Sequence, residues 1–153
     1  MVKLDYRDWD VSGKIKDLET ESITVSRASL SDKEELFEFI SEEWELWLNE
    51  LEMAFKNNPV SLYIARLAGK IKAFSAYDGN NVGTGWFGPM GTHKDLRGKG
   101  IGSVLLFLCL KDIKDKGLSS AIIPWVGPIS FYSHYAGATI DRVFWRYEKD
   151  LTN

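Results

Sequence analysis

Residues 92–103 combine closely spaced glycines with basic side chains, a composition that suits the binding of a phosphate group. The segment follows an apolar stretch, contains Arg97 and Lys99, and precedes the apolar run Val104–Leu108. A strand that turns into a helix through glycines leaves several backbone N–H groups without partners at the helix start. These N–H groups, the positive end of the helix dipole and the two basic side chains together favour a phosphate ligand. The glycines occupy alternate positions: Gly98, Gly100 and Gly102.

Two common phosphate-binding loops do not fit this spacing. A Walker loop ends in Gly-Lys-Ser/Thr, whereas Gly98 and Lys99 are followed here by Gly100. The upstream glycine of that loop is also missing, because His93 stands in its place. A dinucleotide fingerprint has the spacing G-x-G-x-x-G, and the chain is one residue short of it. An ATP- or NAD-binding domain is therefore disfavoured.

The pattern Arg97-x-x-Gly100-x-Gly102 resembles the acetyl-CoA pyrophosphate loop of the GNAT acyltransferase superfamily, Gln/Arg-x-x-Gly-x-Gly/Ala. The flanks agree, since a strand-like segment precedes the loop and a leucine-rich, helix-like run follows it. The resemblance covers roughly residues 23–148. It implies that CoA lies against the end of the preceding strand and against the loop. The residues implied are Met90, Gly91, Thr92, Arg97, Gly98, Lys99, Gly100, Ile101, Gly102 and Ser103.

A second segment, Phe131–Ala138, resembles the F-Y-x-x-x-G-F motif of the same superfamily, whose tyrosine often protonates the departing CoA thiolate. The resemblance implies that Tyr132 is the general acid. The chain departs from the motif, because four residues instead of three separate Tyr132 from Gly137, and Ala138 replaces the usual Phe. One extra residue rotates later side chains by about 100° within a helix, so Tyr135 is a rival for the inward position.

The resemblance implies direct acyl transfer from a thioester to an amine, and this reaction needs a proton acceptor. An alkylamine has a pKa of about 10 and attacks only when it is neutral. Some family members place a glutamate on the strand before the loop, but Val82–Thr92 contains no carboxylate. The candidates that remain are Glu42, Glu43, Glu45 and His93, and a solvated helix start explains the glutamates equally well. Neither histidine has acidic or Cys neighbours at metal-ligand spacing, so we expect no metal.

Several aromatic residues fall on segments that wall the acceptor groove in GNAT folds. Core packing alone would explain any one of them. If several line the groove, the acceptor is apolar or aromatic near its amine. The mildly acidic surface, with a formal net charge of -3, also favours a cationic acceptor. The aromatic residues are Trp44, Trp47, Trp86, Phe87 and Trp125.

Composition limits the class of protein. The 153 residues, 44% hydrophobic and 27% charged, are ordinary for one globular domain. No long basic run is present, so nucleic acid is an unexpected partner. The apolar run Val104–Leu110 is too short to span a bilayer, and Met1–Tyr6 lacks the apolar core of a signal peptide. A single cysteine, Cys109, excludes an internal disulfide and agrees with a cytoplasmic location; its apolar surroundings predict a buried side chain.

Apolar periodicity predicts one domain over residues 22–153, with the element order β-α-α-β-β-β-α-β-α-β. Residues 1–21 are expected to form an N-terminal extension that packs through Tyr6 and Trp9. Glycines and Pro89 predict a bulge in the fourth strand. The predicted strands are 23–28, 60–67, 70–77, 82–92, 120–126 and 141–147. The predicted helices begin after a Ser31–Glu34 capping box, at residue 43, at residue 100 and at Pro128.

The sequence thus predicts an α/β (α+β) protein of the GNAT acyl-CoA N-acyltransferase fold. Its mixed, mostly antiparallel central sheet is splayed between the fourth and fifth strands and flanked by helices. The implied function is transfer of an acetyl or acyl group from acetyl-CoA, a cosubstrate, to a primary amine of a small molecule or peptide. The alternative is a non-catalytic module that binds acyl-CoA as a sensor or regulatory subunit. A catalytic Tyr132 together with an acceptor groove would indicate an enzyme instead. A homodimer through Phe144–Trp145 or the aromatic-rich helices is a further expectation.

Overall fold

The computed structural model describes residues 1–149, apart from the side chain of Tyr6. The strands and helices of this part of the chain alternate in an α/β arrangement. In chain order they are β1 Val2–Lys3, α1 Ser12–Thr20, β2 Ile23–Arg27, α2 Lys33–Glu43, α3 Leu48–Lys56, β3 Leu62–Leu67, β4 Lys70–Tyr77, β5 Phe87–Thr92, α4 Ile101–Asp115, β6 Ser120–Ala121 and α5 Ile129–Ala136. Short 3₁₀ helices cover Leu4–Tyr6, Leu30–Asp32, Glu45–Trp47 and Lys94–Leu96.

The central sheet is antiparallel and opens at one side. Strands β2, β3, β4 and β5 are neighbours in that order. Strand β6 pairs instead with β1, with Val2 opposite Ala121. Strand β6 meets the start of β5 through a single parallel bridge, between Trp86 and Ile122. The predicted splay between these two strands is therefore confirmed.

Different helices cover the two faces of the sheet. Helix α4 packs on one face, together with α1 and α5, and most of its apolar side chains are buried there. Helices α2 and α3 cover the other face through a separate apolar cluster. Successive side chains of a strand point to opposite faces of the sheet, so β5 contributes contacts to both helical layers. Met90 packs with the α4 layer, whereas Gly91 lies against Phe74 and Trp44 of the α2–α3 layer.

The residues before β2 belong to the α4 layer. Trp9 is 2% exposed, and its ring lies edge-on to Phe107 of α4 with centroids 5.3 Å apart. Val2, Leu4 and Leu18 are buried in the same cluster. The expected packing through Trp9 is present, whereas the side chain of Tyr6 lies outside the described part of the chain.

The predicted last strand is wrong, since residues 141–147 form no regular secondary structure. Strand β6 is only two residues long, and β1 already pairs with it. The segment therefore has no long neighbouring strand edge to join within its own chain. Phe144 and Trp145 are 84% and 78% exposed as a result.

Other boundaries also differ from the sequence prediction. Helix α2 continues to Glu43, and Trp44 interrupts it with φ -140° and ψ 39°, so α3 begins only at Leu48. The capping box is formed by Ser29 and Asp32, two residues earlier than the predicted Ser31 and Glu34. Strand β5 begins at Phe87 instead of residue 82, and β6 ends at Ala121, shortly before the left-handed backbone at residue 125.

Helix α4 uses its apolar residues for the core. Cys109 is fully buried within it, as predicted, and its Sγ lies 3.4 Å from the hydroxyl of Ser75. Burial raises the pKa of the Cys109 thiol well above its ordinary value. Among the helices of residues 1–149, none is both long and apolar enough to cross a membrane.

Candidate functional site

The glycine loop ends in an open helix start. Gly98 and Gly100 have φ of 81° and 78°, in the left-handed region that glycine enters without strain. Gly100 is the N-cap of α4, and the N–H of Val104 donates to its carbonyl at 3.1 Å. The N–H groups of the residues between them have no partner within the helix. They give the start of α4 the donors and the dipole that an anion needs.

The side chains of the loop are arranged around these N–H groups. The Nε of Arg97 donates to the carbonyl of Thr92 at 3.2 Å, so Arg97 folds back over the end of β5. Lys99 pairs with the carboxylate of Glu21 at the end of α1, and both side chains are half-exposed. The hydroxyl of Ser103 donates to the carbonyl of Gly100 at 2.7 Å, so Ser103 can offer a ligand its N–H but not its hydroxyl.

The outer edge of β5 carries unpaired backbone positions. The N–H of His93 donates to the carbonyl of Lys72 on β4 at 2.8 Å. Gly91 lies two residues earlier, opposite Phe74, and is therefore also a hydrogen-bonded position. Hydrogen-bonded and non-hydrogen-bonded positions alternate along an antiparallel pair. The polar backbone groups of Met90 and Thr92 therefore point away from β4, into the gap before β6. Those of Gly91 point toward β4, so Gly91 borders this gap only through its neighbours.

A bulge changes the direction of β5 between Phe87 and Met90, as predicted. Between Phe87 and Met90 strand β5 advances three residues, while β4 advances two, from Tyr77 to Ser75. An extra residue bends a strand and ends its regular pairing. The bend coincides with the point where β5 and β6 separate.

Three elements converge at the gap. A Cβ added to Gly102 of α4 would lie 3.5 Å from the ring of Phe131 on α5 and 4.0 Å from the Cε of Met90 on β5. Phe131 and Met90 therefore pack next to Gly102. The structure thus brings the aromatic motif to the loop and the strand edge, although the motif lies well after both in the sequence.

Tyr132 occupies the buried side of α5. It is 9% exposed, and its ring meets Phe87 of β5 edge-on, with centroids 6.1 Å apart. Burial raises the pKa of Tyr132 to about 12. The phenol therefore stays protonated through the neutral range and can donate a proton, but it cannot serve as a base there.

Tyr135 lies three residues further along α5 than Tyr132. Its side chain is half-buried against Phe131, with ring centroids 4.9 Å apart. The longer spacing to Gly137 is absorbed by the helix end. Gly137 adopts φ 60°, and the N–H of Ala138 donates back to the carbonyl of Tyr132 at 3.2 Å. The inward position of the helix consequently belongs to Tyr132.

The candidate bases lie outside the gap. Glu42 and Glu43 are exposed on the last turn of α2, not at the start of a helix, and Glu45 is exposed in the following 3₁₀ helix. The Nδ1 of His93 accepts a hydrogen bond from the N–H of Asp95 at 3.3 Å.

Trp44 and Trp47 form a stacked pair at the α2–α3 connection, with planes 7° apart and centroids 5.9 Å apart. A Cβ on Gly91 would lie 3.2 Å from Trp44 and 2.7 Å from Phe74, so this glycine lets the indole reach β5. The pair is half-buried. Sequence reasoning found the tryptophans but missed their contact with Gly91, which depends on strand register.

The other predicted wall residues are separate from this pair. Phe87 is buried and belongs to the core beside Tyr132. Trp125 is 94% exposed, and its φ of 50° is unusual for a bulky side chain. Within residues 1–149 there is no group of three or more His, Cys, Asp or Glu side chains that could hold a metal ion.

Comparison with known proteins identifies relatives for most of the chain. The model of the family described as Acetyltransferase (GNAT) family matches residues 24–134. No curated protein sequence matches the chain.

Solved structures of similar fold include the glucosamine N-acetyltransferase region of a fungal multi-domain GH3 beta-N-acetylglucosaminidase, with a TM-score of 0.69 and 18% identity. That match covers 88% of this chain but 18% of the other. The ribosomal-protein-alanine N-acetyltransferase of Brucella melitensis biovar Abortus 2308 has a TM-score of 0.58, with 17% identity over 84% of this chain and 99% of its own. AAC(6')-Iy, solved with a CoA-containing bisubstrate analogue, has a TM-score of 0.61, with 12% identity over 84% of this chain and 99% of its own.

Proposed function

The chain belongs to the acetyltransferase (GNAT) family, and we propose that it transfers an acetyl or related acyl group from acetyl-CoA to a primary amine. The observation that carries this proposal is one gap bordered by three features. They are the open start of α4, the outward polar edge of β5 and the buried phenol of Tyr132. We further propose that residues 22–153 form the catalytic domain and residues 1–21 an extension of it.

The loop fits the diphosphate of CoA. A Cβ on Gly98 would meet nothing within 4 Å, and one on Gly100 would meet only the hydroxyl oxygen of Ser103, at 3.9 Å. The space beside the loop is therefore open, and the backbone itself forms its surface. In the proposed complex the N–H groups from Gly98 to Ser103 bind the phosphates, with Lys99 adding positive charge. The N–H of Arg97 already donates to the carbonyl of Lys94 at 3.3 Å. Met90 presents its N–H and C=O groups, and Thr92 its N–H, to the pantetheine arm along the gap, because the carbonyl of Thr92 already accepts from Arg97.

When bound, acetyl-CoA supplies an acyl carbon that is attacked by the amine. The C–N bond forms and the C–S bond breaks, the amine loses one proton and the CoA sulfur gains one. An outward N–H of β5 would stabilise the negative charge that develops on the acyl oxygen. Tyr132 would donate the proton to the sulfur, and water or an exposed carboxylate would take the proton from the amine.

The surface around the tryptophan pair favours a cationic acceptor with an apolar group near its amine. Residues 33–56, which span α2 and α3, contain eight glutamates and two lysines, while the whole chain has a net charge of only -3. Glu52 pairs with both lysines and Glu35 pairs with Arg66, which leaves the other glutamates to set the charge of this surface. Negative charge is thus concentrated on α2 and α3, beside Trp44 and Trp47. Such a surface attracts an ammonium ion, and an indole face favours both cations and apolar groups.

A free-thiol assay with acetyl-CoA tests the proposal across a panel of amines. The panel contains polyamines, amino acids, aminoglycosides, peptide N-termini and 2-phenylethylamine. We expect thiol release that depends on the amine and is fastest with cations carrying an apolar group. CoA binding without release for any amine would contradict an enzyme and favour the sensor or regulatory module. Stabilisation by ATP but not by CoA would contradict the CoA site itself.

A further inference from the structure

One side of the proposed site has little attachment to the central sheet. Helix α5, which carries Tyr132, follows β6 in the chain. Strand β6 meets β5 only through the bridge between Trp86 and Ile122. The position of α5 relative to β5 must therefore be fixed by other contacts.

The residues before α1 provide several of these contacts. Strand β1 pairs with β6, and the N–H of Leu4 donates to the carbonyl of Ser119 at 2.9 Å. The N–H of Thr139, just beyond α5, donates to the carbonyl of Met1 at 3.0 Å. The indole N–H of Trp9 donates to the carbonyl of Leu4 at 2.9 Å, which holds this segment in a compact turn over α4.

Arg7 connects this segment directly to α5. Its Nη1 donates to the carbonyl of Tyr135 at 2.8 Å, across 128 positions of the sequence. Carbonyls in the last turn of a helix have no partner within the helix, and a cation there also complements the helix dipole. The guanidinium lies 4.5 Å from the ring centre of Phe107 on α4 and 5.6 Å from that of Trp9. One side chain thus ties the end of α5 to the middle of α4.

We propose that Arg7 is a positioning residue that holds α5 against α4, so that the hydroxyl of Tyr132 stays aligned with the gap beside β5. The inference rests on the proposed function, because it gives Tyr132 a task in acyl transfer. It assigns a role to residues that lie before the family match, which begins at residue 24. Arg7 is exposed, so its loss leaves no cavity in the core.

Lys14 offers a matched control. Its Nζ lies 5.5 Å from the ring centre of the same Phe107, but the side chain belongs to α1 and its cation contacts α4 alone. Arg7→Gln removes the charge and the reach to Tyr135, whereas Lys14→Gln removes only a cation over the ring. A merely structural role for positive charge at Phe107 would make the two variants alike.

The kinetic test measures kcat and KM for acetyl-CoA in Arg7→Gln, Arg7→Lys, Lys14→Gln and Tyr132→Phe, and in the Arg7→Gln/Tyr132→Phe double variant. We expect Arg7→Gln to lower kcat about tenfold, part of the roughly 10²–10⁴-fold that acid–base help contributes. The KM for acetyl-CoA should change little, Arg7→Lys should recover part of the rate, and Lys14→Gln should behave as wild type. In the Tyr132→Phe background, Arg7→Gln should cost nothing further. Wild-type kcat in Arg7→Gln, or a full additional loss in the double variant, would overturn the proposal.

A readout without turnover separates this proposal from the proposed function. Hydrogen–deuterium exchange of the α5 amides, followed by mass spectrometry, reports how firmly the helix is held without any substrate. In Arg7→Gln, a loosened α5 should exchange faster than in wild type, while in Lys14→Gln it should exchange at the wild-type rate. If no amine is acetylated, the function fails, and unchanged exchange in Arg7→Gln would independently refute the role of Arg7.

Discussion

Replacing Gly100 by glutamate should strongly weaken CoA binding while leaving the fold in place. Gly100 has φ 78°, so any other residue there pays roughly 1–2 kcal/mol for the left-handed backbone. The added Cβ meets no backbone, since the hydroxyl oxygen of Ser103 at 3.9 Å is its only neighbour within 4 Å. The carboxylate would then project into the space proposed for the diphosphate.

The electrostatic penalty can be estimated from Coulomb's law. Two unit charges about 5 Å apart interact by roughly 1–2 kcal/mol at an effective dielectric constant of about 40–80. A diphosphate carries two charges, so the repulsion is about 2–3 kcal/mol, or roughly a 30- to 150-fold weaker affinity. Gly100→Ala shares the backbone strain but adds no charge, and it therefore isolates the electrostatic part.

Isothermal titration calorimetry with acetyl-CoA measures this difference, and thermal unfolding measures the shared loss of stability. We expect similar melting temperatures for the two variants and a much weaker affinity for Gly100→Glu alone. Added salt should reduce the gap between them, because exposed charges are screened. Equal acetyl-CoA affinity in wild type and Gly100→Glu would refute the diphosphate site.

Three further predictions concern the acid, the pH range and the assembly. Tyr132→Phe should lower kcat with little change in acetyl-CoA affinity, because the hydroxyl acts in the transition state; a loss carried by Tyr135→Phe instead would contradict the assignment. Burial raises the pKa of Tyr63 and Tyr77, so the folded state holds protons that the unfolded state releases. Stability should be complete below about pH 8, begin to fall past about pH 8.5, where the unfolded thiol of Cys109 ionises, and fall further past about pH 10. Denaturant titrations should show this, and an unchanged midpoint up to pH 11 would contradict it. The exposed apolar side chains of residues 140–147 predict a homodimer, which sedimentation at micromolar concentration tests and a clean monomer would contradict.

Local patterns allowed much of the candidate site to be predicted from the sequence. The glycine loop, the bulge before it and the helix after it depend on residues within a short stretch of chain, chiefly Pro89 and the loop glycines. The hairpin of β3 and β4 follows from alternating apolar residues on both sides of the turn Ala68–Gly69. Tyr132 follows instead from the resemblance of residues 131–138 to a family motif, and its side chain lies on the buried side of α5.

Features that depend on distant pairing could not be predicted in this way. The composition of residues 141–147 suits a strand, but a strand needs an open edge, and the short β6 with β1 beside it does not supply one. The contact of Arg7 with Tyr135 joins residues 128 positions apart, and no local signal marks it. The contact between Trp44 and Gly91 likewise depends on strand register, which the sequence does not specify residue by residue.

The central claim is that the protein moves an acyl group from CoA to an amine, and one measurement tests it directly. The protein is incubated with acetyl-CoA labelled with ¹³C in the acetyl group and with the most active amine of the panel. The products are then identified and quantified by mass spectrometry. We expect labelled amide in equal amount to free CoA thiol, with Gly100→Glu forming much less of both at an acetyl-CoA concentration below saturation. Labelled acetate without amide, or an unlabelled amine after complete incubation, would contradict it.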